Sequence, residues 1–303
     1  MVQAERRGHK GDQWLRDRLI HERRTAERNQ PSADSFFQGL LRSRNQGNFR
    51  GEHLKQLITS FEERVLLEDD DVLVLNKPQG VLSCANDSVT RFGIAEVSRF
   101  VRNTSISLVN RLDVDTTGVI VLGKNEDAAL RLSQQFAEKE SSKLVKVYLT
   151  LLDGEFSDTL PRKVTVGIQA RGERKMGIVK TGHYNPSDKS VQRSETHFMP
   201  SILFQTSEEN PDYRTLTGVQ IITGRRHQIR VTAAEALGLP ITGDQLYNPN
   251  PSGADRPLLH SFGITFTHPR TQKRVIVEAP VPDDFITALS QMKQVRIYER
   301  KKQ

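Results

Sequence analysis

The length, composition and charge of the chain limit what it can be. Its 303 residues are enough for one large domain or two ordinary ones. The 44 Lys and Arg residues exceed the 37 Asp and Glu residues and give a net charge of +7, which is compatible with a polyanionic partner without requiring one. Cys84 is the single cysteine, so intrachain disulfides and an all-cysteine metal site are excluded and a reducing compartment is expected.

The sequence also bears on location. No run approaches the roughly 18 apolar residues that a membrane span needs, and the amino terminus has no apolar signal core. Because Glu5, Asp12 and Asp17 interrupt the early basic residues, an organelle transit peptide is only the second choice. We therefore expect no membrane partner, a cytoplasmic or alternatively organellar location, and a monomer as the default.

Basic charge is concentrated at the start of the chain. Residues 1–59 hold 12 basic and 7 acidic side chains, whereas the rest of the chain is nearly neutral. We interpret residues 1–59 as a basic extension, partly helical or disordered, that could bind a polyanion without sequence preference. A globular domain is expected over residues 60–293, followed by a charged tail over residues 294–303.

The first predicted elements of the domain are strands joined by short turns. "ERVLLEDDDVLVLNKPQGVLS" has two apolar runs around the acidic turn 68–71, which predicts a hairpin. "NRLDVDTTG", residues 110–118, lies between two further apolar runs and predicts strand, turn and strand. In "NEDAALRLSQQFAEKES" the apolar residues recur at helical spacing after Asn125, the expected helix cap.

The second half of the domain is also predicted to consist mainly of short strands. Residues 153–217 predict short strands, and "TGVQIITG" predicts a strand that leads into a helix ending at Gly238. "LLHSFGITFTHPRTQKRVIVEAP" predicts a hairpin. The expected fold class is α+β, with a mixed, mostly antiparallel central sheet flanked by helices.

The turn at residues 110–118 carries the first candidate for chemistry. In an extended strand, Arg111 and Asp113 would share one face while Leu112 pointed the other way. The alternative is that Asp113 and Asp115 only cap a turn, as Asp often does.

A second candidate is "TGRRHQIR", where Arg225, Arg226 and His227 open the predicted helix. A helix amino terminus and arginine side chains both favour anions, although a plain basic surface would give the same pattern. Arg230 follows Ile229 within the amphipathic stretch and is expected near the buried boundary, where an unpaired cation is costly. Asp113 is the natural candidate for its carboxylate partner.

Two weaker patterns complete the list. Lys146 and Tyr148 in "KVYL" should share one strand face, either as a phosphate contact and a base-stacking platform or as an ordinary sheet pair. His227, His260 and His268 lack metal-ligand spacing, so we assign no metal.

Taken in order, five segments resemble the motifs of the RluA class of pseudouridine synthases over residues 62–285. They are "LLEDDDVLVLNKPQGVLS", "LVNRLDVDTTGVIVLGKN", "KVYLTLL", "TGRRHQIRVTAAEALGLPITGDQLY" and "RPLLHSFGITFTHPRTQKRVIVEAP". The resemblance implies the pseudouridine synthase fold, a central RNA cleft, and isomerisation of uridines in rRNA or tRNA without a cofactor or metal. The small RNA-binding module often found ahead of the catalytic domain in this family is not recognisable in residues 1–59.

The resemblance also assigns roles to matching residues. Asp113 falls on the catalytic aspartate, Tyr148 on the aromatic residue that stacks on the uracil and is discussed as a proton acceptor, and Arg230 on the arginine that pairs with the aspartate. Arg111 matches the arginine that holds the place of the flipped-out nucleotide. Lys77 and Pro78 match the first motif, whose role is chiefly structural. The other expected RNA-binding residues are Asn110, Lys146, Arg225, Arg226, His227 and Leu258.

Three positions depart from the usual family pattern. Asn110 stands where His is usual, Thr117 where Ser is common, and Thr232 where His is common. These changes concern substrate contacts more than catalysis.

The implied chemistry explains the residue types. A base must leave its stack before the uracil–ribose bond can be attacked. The carboxylate would then act as a nucleophile or remove a proton to give an eliminated intermediate, and both routes remain open. A general base must finally remove the proton from the rejoined carbon.

Two other functions are weighed against this one. A catalytically silent RNA-binding or ribosome-assembly factor could keep the fold, but it would have no physical need for a buried Asp and Arg pair. A metal-dependent nuclease would need a ligand spacing that the sequence lacks.

Overall fold

The computed structural model describes residues 49–84, 93–138, 144–179, 188–207 and 212–298. Expectations for residues 1–48 and 299–303 therefore lie outside the described residues. The helices are α1 (Phe49–Thr59), α2 (Ile94–Arg102), α3 (Glu126–Ala137), α4 (Gln228–Val231) and α5 (Asp283–Ser290), with a 3₁₀ turn at Glu62–Arg64 and a π-helical segment at Thr232–Ala236.

Twelve strands form one sheet. They are β1 (Val65–Glu68), β2 (Val72–Lys77), β3 (Ser107–Leu108), β4 (Thr117–Gly123), β5 (Val145–Asp153), β6 (Lys163–Arg171), β7 (Lys175–Val179), β8 (Gln192–Gln205), β9 (Tyr213–Ile221), β10 (Leu259–Thr267), β11 (Arg274–Glu278) and β12 (Lys293–Tyr298). Their order is β1-β2-β4-β10-β5-β9-β8-β6-β7, with β3 on β4, β11 on β10 and β12 on β8. Among the strand pairs of the described residues only β4 and β10 run parallel, so the expected mixed, mostly antiparallel sheet is confirmed.

Helices cover both faces of the central strands, because these strands are apolar on both sides. In β2, Leu73 and Leu75 belong to one hydrophobic cluster, which also includes residues of α1 and α2. Val72 and Val74 belong to another cluster, together with Leu132 of α3. The continuous apolar run of β2 is thus explained by burial on both faces, as expected for a central strand.

The backbones of β4 and β10 approach each other closely at Gly118. Gly118 has φ +103° and pairs with Ser261. A Cβ atom on Gly118 would lie 2.2 Å from the carbonyl oxygen of Ser261. Both the positive φ and the close approach require glycine, which accounts for the last residue of "NRLDVDTTG" and fixes the end of that turn.

The local expectations are mostly confirmed. The acidic turn joins β1 and β2 as a hairpin, and the Asn125 side chain accepts a 2.9 Å hydrogen bond from the Ala128 amide at the start of α3. The helix expected up to Gly238 is a short α turn followed by the π-helical segment, and Gly238 has φ +69°.

Two expected boundaries differ from the structure. Residues 294–298, which we expected in a charged tail, lie in β12, which pairs with β8 in an antiparallel register interrupted by one irregularity between Gln294 and Arg296. At the other end, α1 lies within the stretch that we expected to be an extension, and its Leu54 and Leu57 pack in the core. In both cases a mostly polar segment joins the fold through a few long-range contacts that no local pattern reveals.

In the part of the chain that the structure describes, no helix is long and apolar enough to cross a membrane.

His260 lies behind the β4–β10 junction and should make stability sensitive to acid. It is fully buried, its Nδ1 lies 2.9 Å from the Thr117 hydroxyl, and burial lowers its pKa to about 4. Because the unfolded chain takes up this proton near pH 6.5, stability is complete above that pH and is lost as pH falls towards 4, by roughly 3 kcal/mol.

We expect His260→Gln to remove this dependence. Urea unfolding at pH 7 and pH 4.5 should give a smaller difference for the variant than for the wild type. An equal acid loss in both proteins would show that His260 is not the responsible group.

Candidate active site

Asp113 lies in an irregular loop, residues 109–116, between β3 and β4. The expected extended strand is absent at 111–113, although the expected alternation holds: Arg111 is exposed, Leu112 is buried and Asp113 is half-buried. The Ser83 hydroxyl clamps the loop, because it accepts from the Leu112 amide (2.9 Å) and donates to the Leu112 carbonyl (2.8 Å). Leu112 therefore holds its neighbour Asp113 in place.

Two buried cations hold the next part of this loop by its main chain. The ammonium group of Lys77 donates to the carbonyl of Val114 at 2.8 Å, and to the carbonyls of Pro78 and Val81 at 2.9 and 2.7 Å. Arg256 donates to the carbonyl of Asp115 at 3.1 Å. The backbone on the far side of Asp113 is thereby fixed as well, which preorganises the carboxylate.

Lys77 is completely buried in this role. Burial lowers its pKa to about 7, and the carboxylates of Asp115 and Asp113 act in the opposite direction. Its three acceptors match the three N–H donors of an ammonium group. The structural role expected for Lys77 thus has a specific form, which is to tie the β2 end to the Asp113 loop.

Lys77→Met should cost about 3 kcal/mol of unfolding free energy, because it leaves three buried carbonyls without their donor. Denaturant unfolding at pH 7 measures this loss. Lys163→Met removes an exposed pair with Glu195 and should stay within about 0.5 kcal/mol of the wild type. Equal stability of the two variants would contradict the anchoring role.

Arg230 brings a guanidinium to Asp113, as the sequence analysis expected. Its Nη1 donates to Asp113 Oδ2 at 3.3 Å. Its principal partner is a residue that the sequence analysis missed: Asp244 accepts from Nε at 2.7 Å and from Nη2 at 2.8 Å. The expected contact between Arg230 and Asp113 is therefore present, and the fully buried Asp244 is a second partner, which forms the bidentate pair.

The two oxygens of the Asp113 carboxylate therefore have different surroundings. Oδ2 contacts Arg230, whereas Oδ1 has no hydrogen-bond donor among the residues that the structure describes. The Asp113 side chain is 26% exposed. One oxygen is therefore held and the other is available to a reacting molecule.

Tyr148 lies close enough to this pair for the charge of Asp113 to act on its pKa. Tyr148, Leu112 and Ile229 belong to the same hydrophobic cluster, so the packing of Leu112 and Ile229 sets the positions of the adjacent Asp113 and Arg230. Burial raises the pKa of Tyr148 to about 12, a hydrogen bond with Ser261 opposes this, and the Asp113 charge adds to it. Tyr148 is therefore a neutral phenol at pH 7, which suits a stacking platform better than an anionic base.

His227 also approaches Asp113, in an unusual backbone conformation. It has φ +54°, which is strained for a residue with a Cβ, and its Nε2 lies 4.0 Å from Asp113 Oδ2. Its Nδ1 lies 2.9 Å from the Tyr247 hydroxyl, which accepts from the Met176 amide at 2.8 Å. Burial lowers the pKa of His227, so it is a neutral imidazole at pH 7 and not the cation that a basic patch would need.

The arginines of the "TGRRHQIR" segment other than Arg230 donate to main-chain carbonyls of other segments. Arg225 donates from Nε to the Arg193 carbonyl at 3.2 Å, and the exposed Arg226 donates to the Arg174 carbonyl at 3.1 Å. Arg111 is exposed next to Asp113, and Lys146 is buried on the same strand as Tyr148.

Two expected RNA-binding residues are occupied inside the protein. Asn110 Oδ1 accepts a 2.8 Å hydrogen bond from the Val121 amide and so supports the loop. Leu258 is fully buried in a cluster with Leu151 and Phe285. These contacts favour structural roles for both side chains.

His268 joins Asp69 and Asp71 in a group with metal-ligand spacing, which the sequence analysis did not connect. One ligand atom from each lies within 4.8 Å of the others. The protein already uses these atoms: Asp69 accepts from His268 Nε2 at 2.8 Å, and Asp71 accepts from Arg270 Nη2 and Asn125 Nδ2, both at 2.8 Å. These hydrogen bonds explain why the three residues lie together, because they join the turn at 69–71 to the turn at 268–270.

The fold and the site together define a class of protein. The structure has a mixed sheet with a partly exposed carboxylate, Asp113, in contact with Arg230, and a buried Tyr148 in the same region; the sequence resemblance names these three residues for the chemistry of a pseudouridine synthase. The family model described as RNA pseudouridylate synthase matches residues 71–235. The chain belongs to this family, and it is an enzyme that isomerises uridine in RNA to pseudouridine.

Curated relatives agree with this assignment. The chain is 34% identical over 239 residues to the ribosomal large subunit pseudouridine synthase C of Buchnera aphidicola (subspecies Acyrthosiphon pisum), covering 75% of this chain and 70% of that one. It is 31% identical over 255 residues to the protein of the same name from Escherichia coli K12, covering 80% and 73%.

The solved structures show the fold. Human RNA pseudouridylate synthase domain containing 1 matches with a TM-score of 0.60 and 22% identity, over 78% of this chain and 90% of that one. Human RNA pseudouridylate synthase domain containing 4 matches with a TM-score of 0.60 and 20% identity, over 85% and 98%.

Proposed function

We propose that this protein makes pseudouridine in RNA of the large ribosomal subunit, with Asp113 as the catalytic carboxylate. The observation that carries the proposal is the Asp113–Arg230–Asp244 arrangement, in which the arginine is fixed by one carboxylate and holds one oxygen of the other. The substrate class is supported by the names of the bacterial relatives, which are ribosomal large subunit pseudouridine synthases.

Each side chain has a role in this proposal. The exposed Arg111 contacts the RNA at the place that the target nucleotide leaves, since the nucleotide must be turned out of its stack to be reached. The ring of Tyr148 receives the uracil. Asn110 and Leu258 support the loop and the core, and Arg225 and Arg226 contact the RNA backbone.

Asp113 Oδ1 then reacts, either by attacking the ribose or by removing a proton from it. In both routes the uracil–ribose bond breaks, the uracil rotates, and its carbon joins the ribose in place of its nitrogen. Arg230 keeps Oδ2 and so aims Oδ1 at the substrate. A proton must finally leave the rejoined carbon. The neutral state of Tyr148 at pH 7 favours another acceptor for it, such as the released Asp113 carboxylate.

A product assay with three RNAs tests the proposal. Transcribed large-subunit rRNA, small-subunit rRNA and tRNA are incubated with the protein, and pseudouridine is mapped chemically. We expect product at one or a few positions of the large-subunit RNA. Product only in tRNA or in small-subunit RNA would refute the substrate class, and binding without product on any RNA would favour a silent assembly factor.

A ribosomal substrate also has consequences for location and assembly. The protein is proposed to act where ribosomes are assembled, in the cytoplasm or in an organelle, and as a monomer, because Asp113, Tyr148 and Arg230 all come from one chain. Sedimentation of the active protein at a mass near 34.3 kDa is the expected result.

A further inference from the structure

Lys146 is a buried cation that the proposed chemistry leaves without a defined partner. It lies on β5 two residues before Tyr148, and both side chains are inward on the same face of the strand. Its side chain is long and charged, yet the residue is only 8% exposed. Lysine is almost never buried to this extent unless it is paired.

No partner for this amine exists in the described part of the chain, where Lys146 has neither a hydrogen bond nor an ion pair from its side chain. The charge that acts on its pKa is that of Arg225, which is also positive. Burial lowers the pKa of Lys146 to about 8, and Arg225 lowers it further. The fold thus places two cations together in a region of reduced hydration, and this costs free energy.

The other buried cations of the site all have hydrogen-bond or ion-pair partners. Lys77 has three carbonyl acceptors, Arg230 has Asp244, and Arg256 has Asp284 at 2.6 Å. A carboxylate near the 223–227 turn, Glu195, is already engaged by Lys163, Arg193 and His197. Lys146 therefore differs from these three cations of the site.

The geometry shows where a missing anion would lie. Nζ of Lys146 lies 3.8 Å from the position that a Cβ atom of Gly224 would occupy. Gly224 has no side chain, so the amine faces the main chain of the turn from which Arg225 projects. The turn leads directly into α4, which carries Arg230, the arginine that contacts Asp113.

We propose that Lys146 and Arg225 form a binding site for a phosphodiester group of the RNA, at or next to the nucleotide that Asp113 attacks. The inference rests on the proposed function for the identity of the anion. An ammonium and a guanidinium are the two groups that proteins use for phosphate, one as a point charge and the other as a planar donor. When the phosphate binds, the cost of keeping two cations together is removed, which couples affinity for RNA to the correct placement of the nucleotide.

The test measures RNA binding apart from turnover. The dissociation constant of a single-stranded octamer of uridylate is measured from 50 to 300 mM KCl for the wild type and for Lys146→Met, Lys146→Arg and Arg225→Met. The matched control is Lys273→Met, since Lys273 is exposed in the turn between β10 and β11.

We expect Lys146→Met to weaken binding about tenfold at 100 mM KCl and to reduce the slope of log affinity against log salt by about 0.7, the value for one phosphate contact on a single strand. Arg225→Met should have a similar effect, Lys146→Arg should restore most of the loss, and Lys273→Met should match the wild type. An unchanged affinity and slope for Lys146→Met would overturn the proposal. If that variant fails to fold, the same result for Arg225→Met decides the question.

Free phosphate is the alternative source of the anion. If inorganic phosphate raises the melting temperature of the wild type but not of Lys146→Met, while both bind the octamer equally, the site takes free phosphate and the RNA assignment is wrong. Pseudouridine formation is assayed separately. If Lys146→Met changes the salt slope but the wild type forms no pseudouridine, the phosphate site is retained and the proposed function is refuted. If the wild type forms pseudouridine but Lys146→Met leaves the affinity and the salt slope unchanged, the proposed function is retained and the phosphate site is refuted.

Discussion

Asp113→Asn should abolish pseudouridine formation, with a loss of at least a thousandfold, roughly the scale seen when a reacting group is removed. Asn has the same shape, and its amide oxygen can still accept from Arg230, so the loop and the fold should be kept. An amide cannot form the bond to ribose or remove the proton, because it is neither a nucleophile nor a base at neutral pH. The measurement is pseudouridine formed per minute on the large-subunit RNA.

Asp115→Asn is the matched control for this prediction. Its side chain is exposed, and only its carbonyl is held, by Arg256. It should keep activity within about threefold of the wild type, an effect of less than 1 kcal/mol on the barrier. Equal losses in both variants would favour the alternative in which the two carboxylates merely cap the turn. Full activity of Asp113→Asn would contradict the mechanism altogether.

Asp244→Asn should reduce both stability and turnover. Asp244 is fully buried and holds Arg230 through two charged hydrogen bonds, while its Oδ1 also accepts from the Leu246 and Tyr247 amides at 3.0 and 3.2 Å. Breaking a buried pair of this kind costs about 3–5 kcal/mol. Arg230 would then be free to turn towards Asp113 and take up the oxygen that should react, so kcat should fall at least tenfold, or about 1.4 kcal/mol.

Asp71→Asn separates the two effects of the Asp244 change. Asp71 is also buried and pairs with an arginine, Arg270, but it lies in the network of turns around His268. It should lose stability and keep kcat at a temperature where it is folded. A kcat for Asp244→Asn equal to that of Asp71→Asn would show that Asp244 acts only through stability.

Much of the fold could be predicted from the sequence, because hairpins and helix caps depend on residues that are close along the chain. The acidic turn between β1 and β2 and the Asn125 cap are of this kind. β12 could not be predicted, since its strand conformation depends on pairing with β8, about 90 residues earlier.

The candidate site also has features that depend on the local sequence and features that depend on long-range contacts. The sequence by itself pointed to Arg111, Asp113 and Arg230, and the family resemblance of its motifs added Tyr148. It also determined that a largely buried Arg230 would need a carboxylate, since an unpaired buried charge is costly wherever it lies. These conclusions depend on residue chemistry and local burial patterns, which the chain carries without its fold.

Only the tertiary structure decided which groups meet. It paired Arg230 with Asp244 more closely than with Asp113, tied Lys77 to the Asp113 loop, and brought the amine of Lys146 to the turn at Gly224. It also brought His227, expected only as an RNA-binding residue, to within 4.0 Å of the Asp113 carboxylate, where burial lowers its pKa. The physical reason is that the charge state and partner of a side chain depend on its burial and on groups distant in sequence, which come together only when the sheet has formed.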